Sequence, residues 1–325
     1  MKINYLGFLN PFEYNGGGEI NLRGVIESGR RRGHGIKITA AYKTQKTNLF
    51  LNPDLFILAD IYNSPLTRRR LEEKLIVEIV KKEKYIHVDM GYSEVCHRDY
   101  LPCNGKTNGE ICPFVKGRFD FRRGFLRGIL DLRDEKFKIN KCFRFQGLPL
   151  YRNSLLNVFV SPLHGHVISG LLGNEIIGNS FNLKPRIDNK IFYNRCMERD
   201  IDNLFVGVIS EAKGWYELKR RFSTSGNITL VGNVARAIKV DFGVHVGYVP
   251  HEEIPQWMNR AKNFVFLPRW PEPAGRVVAE AALCGCNLIL NENVGITSFD
   301  CDLHDPKNFE KPEEELWEKI ESSLT

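Results

Sequence analysis

The sequence predicts an α/β protein made of two parallel-sheet domains in tandem. Three observations carry this prediction. The chain has 325 residues, more than one hydrophobic core usually serves. Short apolar runs alternate with amphipathic helical stretches, and the series restarts near residue 203. The first strand also leads through a glycine-rich turn directly into a helix, the opening of a parallel α/β sheet.

In the first half, "MKINYLGFL" reads as a buried first strand. "NPFEYNGGGE" is its turn, and "INLRGVIESGRRRG" is a helix with Ile20, Val25 and Ile26 to one side. "HGIKITAAY" is the second strand. "LFILADI" (55–61), "KYIHVD" (84–89) and "LLNVFVSP" (155–162) read as further buried strands, and 68–84 has helical periodicity. The polar stretch 172–200 reads as a crossover between the domains. In the second half, "NLFVGVI", "NITLVGN", "VDFGVHVGYV", "KNFVFLP" and "CNLILN" are strands. "KGWYELKRRF", "EEIPQWMNRA" and "GRVVAEAALC" are helices, and "EKPEEELWEKIESSL" is a terminal amphipathic helix. The expected domains are 1–172 and 173–325, with the last helix returning to the first domain.

Composition narrows the function classes. Hydrophobic content of 42% and charged content of 26% are those of a globular protein, and no run of 18 apolar residues occurs. The N-terminus lacks a signal-peptide pattern, so the expected location is the cytoplasm or the inner membrane face. The cysteines, Cys96, Cys103, Cys112, Cys142, Cys196, Cys284, Cys286 and Cys301, are then expected as reduced thiols. Cys96, Cys103 and Cys112 are spaced too widely for a common zinc site, although a metal stays open as a weaker reading.

Residues 1–175 hold 28 Lys+Arg against 18 Asp+Glu, net +10; residues 176–325 hold 18 against 21, net −3. The basic half suits an anionic partner, such as an anionic glycan, an acidic membrane surface or nucleic acid, or is a solvated basic face. "KGRFDFRRGFLRGILDLRDEKFK" interleaves arginines with aromatic and aliphatic residues. It reads as a domain helix, a peripheral membrane helix or a nucleic-acid surface.

The candidate chemistry lies in "RWPEPAGRVVAEAALCGCNLIL", 269–290. Glu272 falls in the loop at the carboxyl end of a strand, where ligands of parallel sheets bind. Glu280 falls on the following helix, eight positions later, roughly 7–8 Å further along its axis. Carboxylates accept hydrogen bonds from paired hydroxyls, so one extended sugar- or ribose-bearing ligand could meet both. The alternative is a solvated Glu272 and a Glu280 paired with a neighbouring base.

This segment resembles the donor-binding motif of retaining glycosyltransferases of family four, through Pro268, Glu272, Pro273, Gly275, Glu280, Ala281 and Gly285. "FVGVISEAKG", "LVGN" and "VGYVPHEEIPQWMNRAKNFVFLP" resemble the strands and helix that precede it in that family. "YNGGGEINLRGVIESGRRRGHGIKI" resembles the family's first glycine loop and helix, and "NVFVSP" resembles a later acceptor-domain strand.

The resemblance implies the GT-B fold: two Rossmann-like parallel α/β domains facing a cleft, with the acceptor domain first and the donor domain second. It implies transfer of a sugar from a nucleotide-sugar donor to an acceptor hydroxyl with retention of configuration, without a metal cofactor. Domain closure would exclude water. Glu272 would bind donor-sugar hydroxyls, Glu280 the ribose, and Lys213 the diphosphate. The backbone of Pro273, Ala274, Gly275 and Arg276 would touch sugar or phosphate, and Gly16, Gly17 and Gly18 would allow close approach of the first loop. His87 corresponds to a histidine that touches the donor sugar, or is a buried strand residue. His164 and His166 are weaker candidates.

One departure stands out: the family often has an arginine where this chain has Val208, and Arg236 or Arg276 is the candidate substitute. Two rival functions follow from the same features. One is a glycosyltransferase acting on modified DNA bases, consistent with the basic first half. The other is a non-catalytic nucleotide-sugar binding protein, consistent with Val208. A sugar-nucleotide epimerase would use a similar cleft with a different donor motif.

Overall fold

The computed structural model describes residues 1–14, 16–40, 49–61, 73–95, 148–236 and 238–324. Cys96, Cys103, Cys112, Cys142 and the basic-aromatic stretch 116–138 lie outside the described residues. The chain forms two compact units. One holds 1–159, 165–182 and 314–325, and the other holds 160–164 and 183–313.

The first unit is built on a six-stranded parallel sheet of order β2-β1-β3-β4-β5-β6. Its strands are β1 (Lys2–Gly7), β2 (Gly35–Ala40), β3 (Leu55–Ala59), β4 (Tyr85–Asp89), β5 (Leu156–Phe159) and β6 (Ser180–Asn182). β3 and β4 are buried at every position, as expected for strands covered on both faces. Helices α1 (Gly17–Arg31), α2 (Glu73–Lys82), α3 (Leu148–Arg152) and α4 (Pro162–Leu172) connect them. β6 lies within the polar stretch that reads as a crossover, and its three residues are too few to show a period.

Helix α8 (Pro312–Leu324) ends the chain against α1. Trp317, fully buried, donates through Nε1 to the Val25 carbonyl at 2.8 Å. The approach is close enough that a β-carbon on Gly29 would overlap the indole, which is why α1 carries a glycine inside a helix. Arg32 pairs with Glu321 at 2.6 Å and with Glu314 at 3.2 Å on the rim of this contact.

The second unit has a five-stranded parallel sheet of order β11-β10-β7-β8-β9. Its strands are β7 (Ile201–Val206), β8 (Thr229–Val231), β9 (Val244–Gly247), β10 (Ala261–Phe266) and β11 (Asn287–Leu290). Helices α5 (Trp215–Phe222), α6 (Ile254–Arg260) and α7 (Arg276–Leu283) link them. Leu204, Phe205, Phe264, Val265, Val278 and Ala281 form its centre, with β10 beside β7.

Arg199, from the polar stretch before β7, donates to the carbonyls of Met258, Ala261 and Cys284, and so ties the ends of α6 and α7 together. Met258 O also accepts from Ala261 N and from Cys286 Sγ, and Arg199 adds a charged donor to the carbonyls at these helix ends.

Candidate functional site

In the second unit, Glu272 lies just beyond β10. The loop 268–275 is laced to the segment after β11. Glu272 N donates to Asn293 O at 2.7 Å, Gly295 N donates to Glu272 O at 3.0 Å, and Asn291 and Asn293 both donate side-chain amides to Pro268 O. Ser161 Oγ donates to Pro273 O. This loop is therefore fixed by its backbone, and Glu272 projects from a rigid platform. Gly275 closes the loop with φ +77 before α7 begins, a left-handed conformation that favours glycine.

Lys213 comes from the loop between β7 and α5. Its Nζ donates to Glu272 Oε2 at 2.6 Å, and it stands 5.5 Å from the centre of the Trp270 ring. Gly214, with φ +91, packs against the Leu267 carbonyl, so no side chain could separate the two loops there. Arg269 N also donates to Ala212 O at 3.1 Å. The two loops at the carboxyl ends of β7 and β10 thus meet, and an opposite-charge pair sits where they do.

Glu280 lies one turn into α7 and is only 4% exposed. Arg276 Nε donates to its Oε1 at 2.6 Å, an i,i+4 pair along the helix. His251 Nε2 lies 3.5 Å from the same oxygen. Burial pushes the Glu280 carboxyl up, but His251 and Arg276 outweigh it and hold the group below its ordinary value. The pairing of Glu280 with neighbouring bases, the alternative open at the level of sequence, is therefore present, and it keeps the carboxylate ionised.

Val208 is half exposed at the end of β7. Beside it, Ile209 N donates to Asn233 O at 2.8 Å and Ala235 N donates to Ile209 O at 2.9 Å. The next residue, Arg236, is exposed, so a guanidinium stands on the loop adjoining Val208.

In the first unit, Gly16 caps α1 with an extended backbone, and Gly17 and Gly18 form its first turn. The amide groups at this helix start suit an anion. A β-carbon on Gly18 would touch Met90, just past β4.

His87 is fully buried on β4. Neither ring nitrogen makes a hydrogen bond among the described residues; Glu94 Oε1 stands 3.9 Å from Nε2, and the Tyr151 ring meets the imidazole edge-on at 4.5 Å. Burial lowers its pKa to about 4. Burial likewise raises Asp89, whose Oδ2 accepts from Tyr151 Oη at 2.5 Å. Glu94 Oε1 accepts from Ile61 N at 2.5 Å. Asp60, at the end of β3, has φ +50, a conformation uncommon outside glycine. Asp60, Glu94 and Tyr151, absent from the sequence-level candidates, gather with His87 and Asp89 near the carboxyl ends of β3 and β4. His164 is buried and His166 exposed, both on α4.

His251 and Phe192 are also additions to the sequence-level set. The only sequence signal for His251 was its position just ahead of a helix that follows a short strand. Among the described residues no group of three His, Cys, Asp or Glu is arranged to hold a metal ion, and no helix is long and apolar enough to cross a membrane.

No protein-family model matches the sequence, and no curated protein matches it significantly. Solved structures do match over the whole chain. Anabaena HepE in complex with UDP and glucose is 13% identical, with all of this chain and 92% of that one aligned at a TM-score of 0.54. An alpha-glucosyltransferase in complex with UDP and a 13-mer DNA containing an HMU base is 12% identical. There all of this chain and 95% of that one align at a TM-score of 0.51. At this identity the likeness establishes the fold: two parallel α/β units of the GT-B class.

Proposed function

We propose that this chain is a retaining glycosyltransferase that moves a sugar from a UDP-sugar to an acceptor hydroxyl. The observation that carries the reading is the constellation at the carboxyl ends of β7 and β10. Lys213 and Glu272 are paired on two interlocked loops, and an ionised, buried Glu280 lies one helical turn beyond. A nucleotide-sugar runs from ribose through diphosphate to sugar, and these groups suit it: Glu280 for the ribose, the Lys213 ammonium for the diphosphate and Glu272 for the sugar hydroxyls. UDP is the nucleotide in the structures of similar fold, which supports it as the base to test.

In this reading Lys213 changes partner when the donor binds. In the free protein Lys213 and Glu272 neutralise each other. An arriving diphosphate takes the ammonium, and Glu272 is released to the sugar hydroxyls. Transfer develops charge on the departing diphosphate oxygen. Lys213, Arg236 in place of the missing arginine at Val208, and the backbone amides of Gly275 and Arg276 at the start of α7 meet that charge. These groups carry the load with no metal in the scheme.

The test is thermal stabilisation by UDP and UDP-sugars, followed by sugar transfer. A ligand at 100 times its Kd adds about 2.7 kcal/mol. Lys213→Ala and Glu280→Ala should each remove most of that stabilisation, and Glu272→Ala should abolish transfer while the protein stays folded. Full transfer by Glu272→Ala would refute the assignment.

A second reading concerns only the acceptor. The net charge of +10 in residues 1–175 favours a polyanion such as DNA with modified bases. Salt-sensitive DNA binding, and transfer to hydroxymethylated DNA in preference to a free glycan, would select it.

A further inference from the structure

Glu280 is held by two bases of different origin, and this difference carries a role for one of them. Arg276 is on the same helix, four residues away, so helix geometry alone supplies that contact. His251 comes from the segment between β9 and α6. Its side chain is about half exposed, at 48%, yet its ring is not loose: it lies against Phe192, with centroids 5.2 Å apart and planes tilted by 56°. Both bases address Oε1, at 2.6 Å and 3.5 Å. Neither uses Oε2. Arg276 Nη1, meanwhile, is buried and has no partner among the described residues. A carboxylate oxygen not used by either base matches a ligand that carries donor hydroxyls.

We propose that His251 is a positioning residue of the nucleotide site: together with Arg276 it holds Oε1 of Glu280, so that Oε2 is presented to the ribose diol of the donor. The proposal rests on the donor-site reading above and extends it to a residue outside the Glu272–Glu280 motif. Phe192 supports the ring, and the ring ties the rotamer of Glu280 to a second element of the fold. Without His251 the carboxylate keeps its helical partner but loses the contact that fixes it across elements. The effect therefore falls on recognition of the ribose hydroxyls and not on the diphosphate, which Lys213 handles on another loop.

The experiment is calorimetric titration of the full chain with UDP and with 2′-deoxyUDP, for the parent, His251→Ala and His251→Gln. The parent is expected to prefer UDP, because a hydrogen bond to a charged group is worth about a tenfold change in affinity or more. His251→Ala should weaken UDP binding by about tenfold and leave 2′-deoxyUDP nearly unchanged, so the preference collapses. His251→Gln, which can still donate toward Oε1, should restore part of it.

If His251→Ala keeps the parent's preference, or weakens both nucleotides equally, the proposal is overturned while the donor site stands. If the parent binds neither nucleotide, the donor-site reading falls and this one with it. His251 is half exposed, so both variants should fold, and their unliganded melting curves check that directly.

Discussion

His87 gives the chain a specific acid sensitivity. The imidazole is fully buried on β4, faces the Tyr151 ring, and makes no hydrogen bond among the described residues. Burial therefore disfavours its charged form and lowers its pKa from 6.5 to about 4. In the unfolded chain the same group takes a proton near pH 6.5. As pH falls below that value, the unfolded state gains a proton that the folded state refuses until about pH 4, so folding loses stability across this window.

At about 1.4 kcal/mol per pH unit, the full gap is worth about 3 kcal/mol, and about 2 kcal/mol of it is lost by pH 5. Asp89 works in the opposite direction: burial raises it, so the folded state takes up its proton first as pH falls. The comparison must therefore be made between chains. Urea unfolding of the parent and of His87→Leu, at pH 7 and at pH 5, compares chains with and without the histidine and its charge coupling to Asp89. The parent should lose about 2 kcal/mol more than the variant between the two conditions. An equal loss in both chains, or an imidazole resonance assigned to His87 that titrates near 6.5 in the folded protein, would refute the argument.

Two further predictions follow from contacts already described. In Glu272→Gln the Lys213 ammonium loses its charged partner at 2.6 Å, so UDP should bind several-fold more tightly than to the parent while the added affinity for UDP-glucose over UDP shrinks. Calorimetry with both ligands checks the two signs, and weaker UDP binding would contradict the exchange of partners. In Gly29→Ala the new methyl group meets Trp317, so stability should fall by about 1–3 kcal/mol, as for other overpacked sites, with little change in nucleotide affinity. Pairing that substitution with Trp317→Phe should recover part of the loss.

The strands and helices of this chain were legible because each is written in local periodicity. β3 is a continuous apolar run, β4 carries Tyr85, Ile86 and Val88 in five residues, and α1 repeats its apolar positions every three or four residues. β6 was not legible, because three residues carry no period and the sheet edge at β5 decides their conformation. Among the candidate residues, Glu272 and Glu280 were singled out by their spacing together with the family resemblance, and the Arg276–Glu280 pair follows from helix geometry.

The other partners depend on chain segments far apart in sequence. Lys213 reaches Glu272 across 59 residues because β10 lies beside β7, and Trp317 reaches Val25 across 292. His251 meets Glu280 only because the segment entering α6 lies over α7. Local pattern sets which residues are helical, extended or turning. Which charge faces which, and therefore which carboxylate stays ionised and which histidine stays neutral, is set by strand order and burial, and these exist only once the sheets have formed.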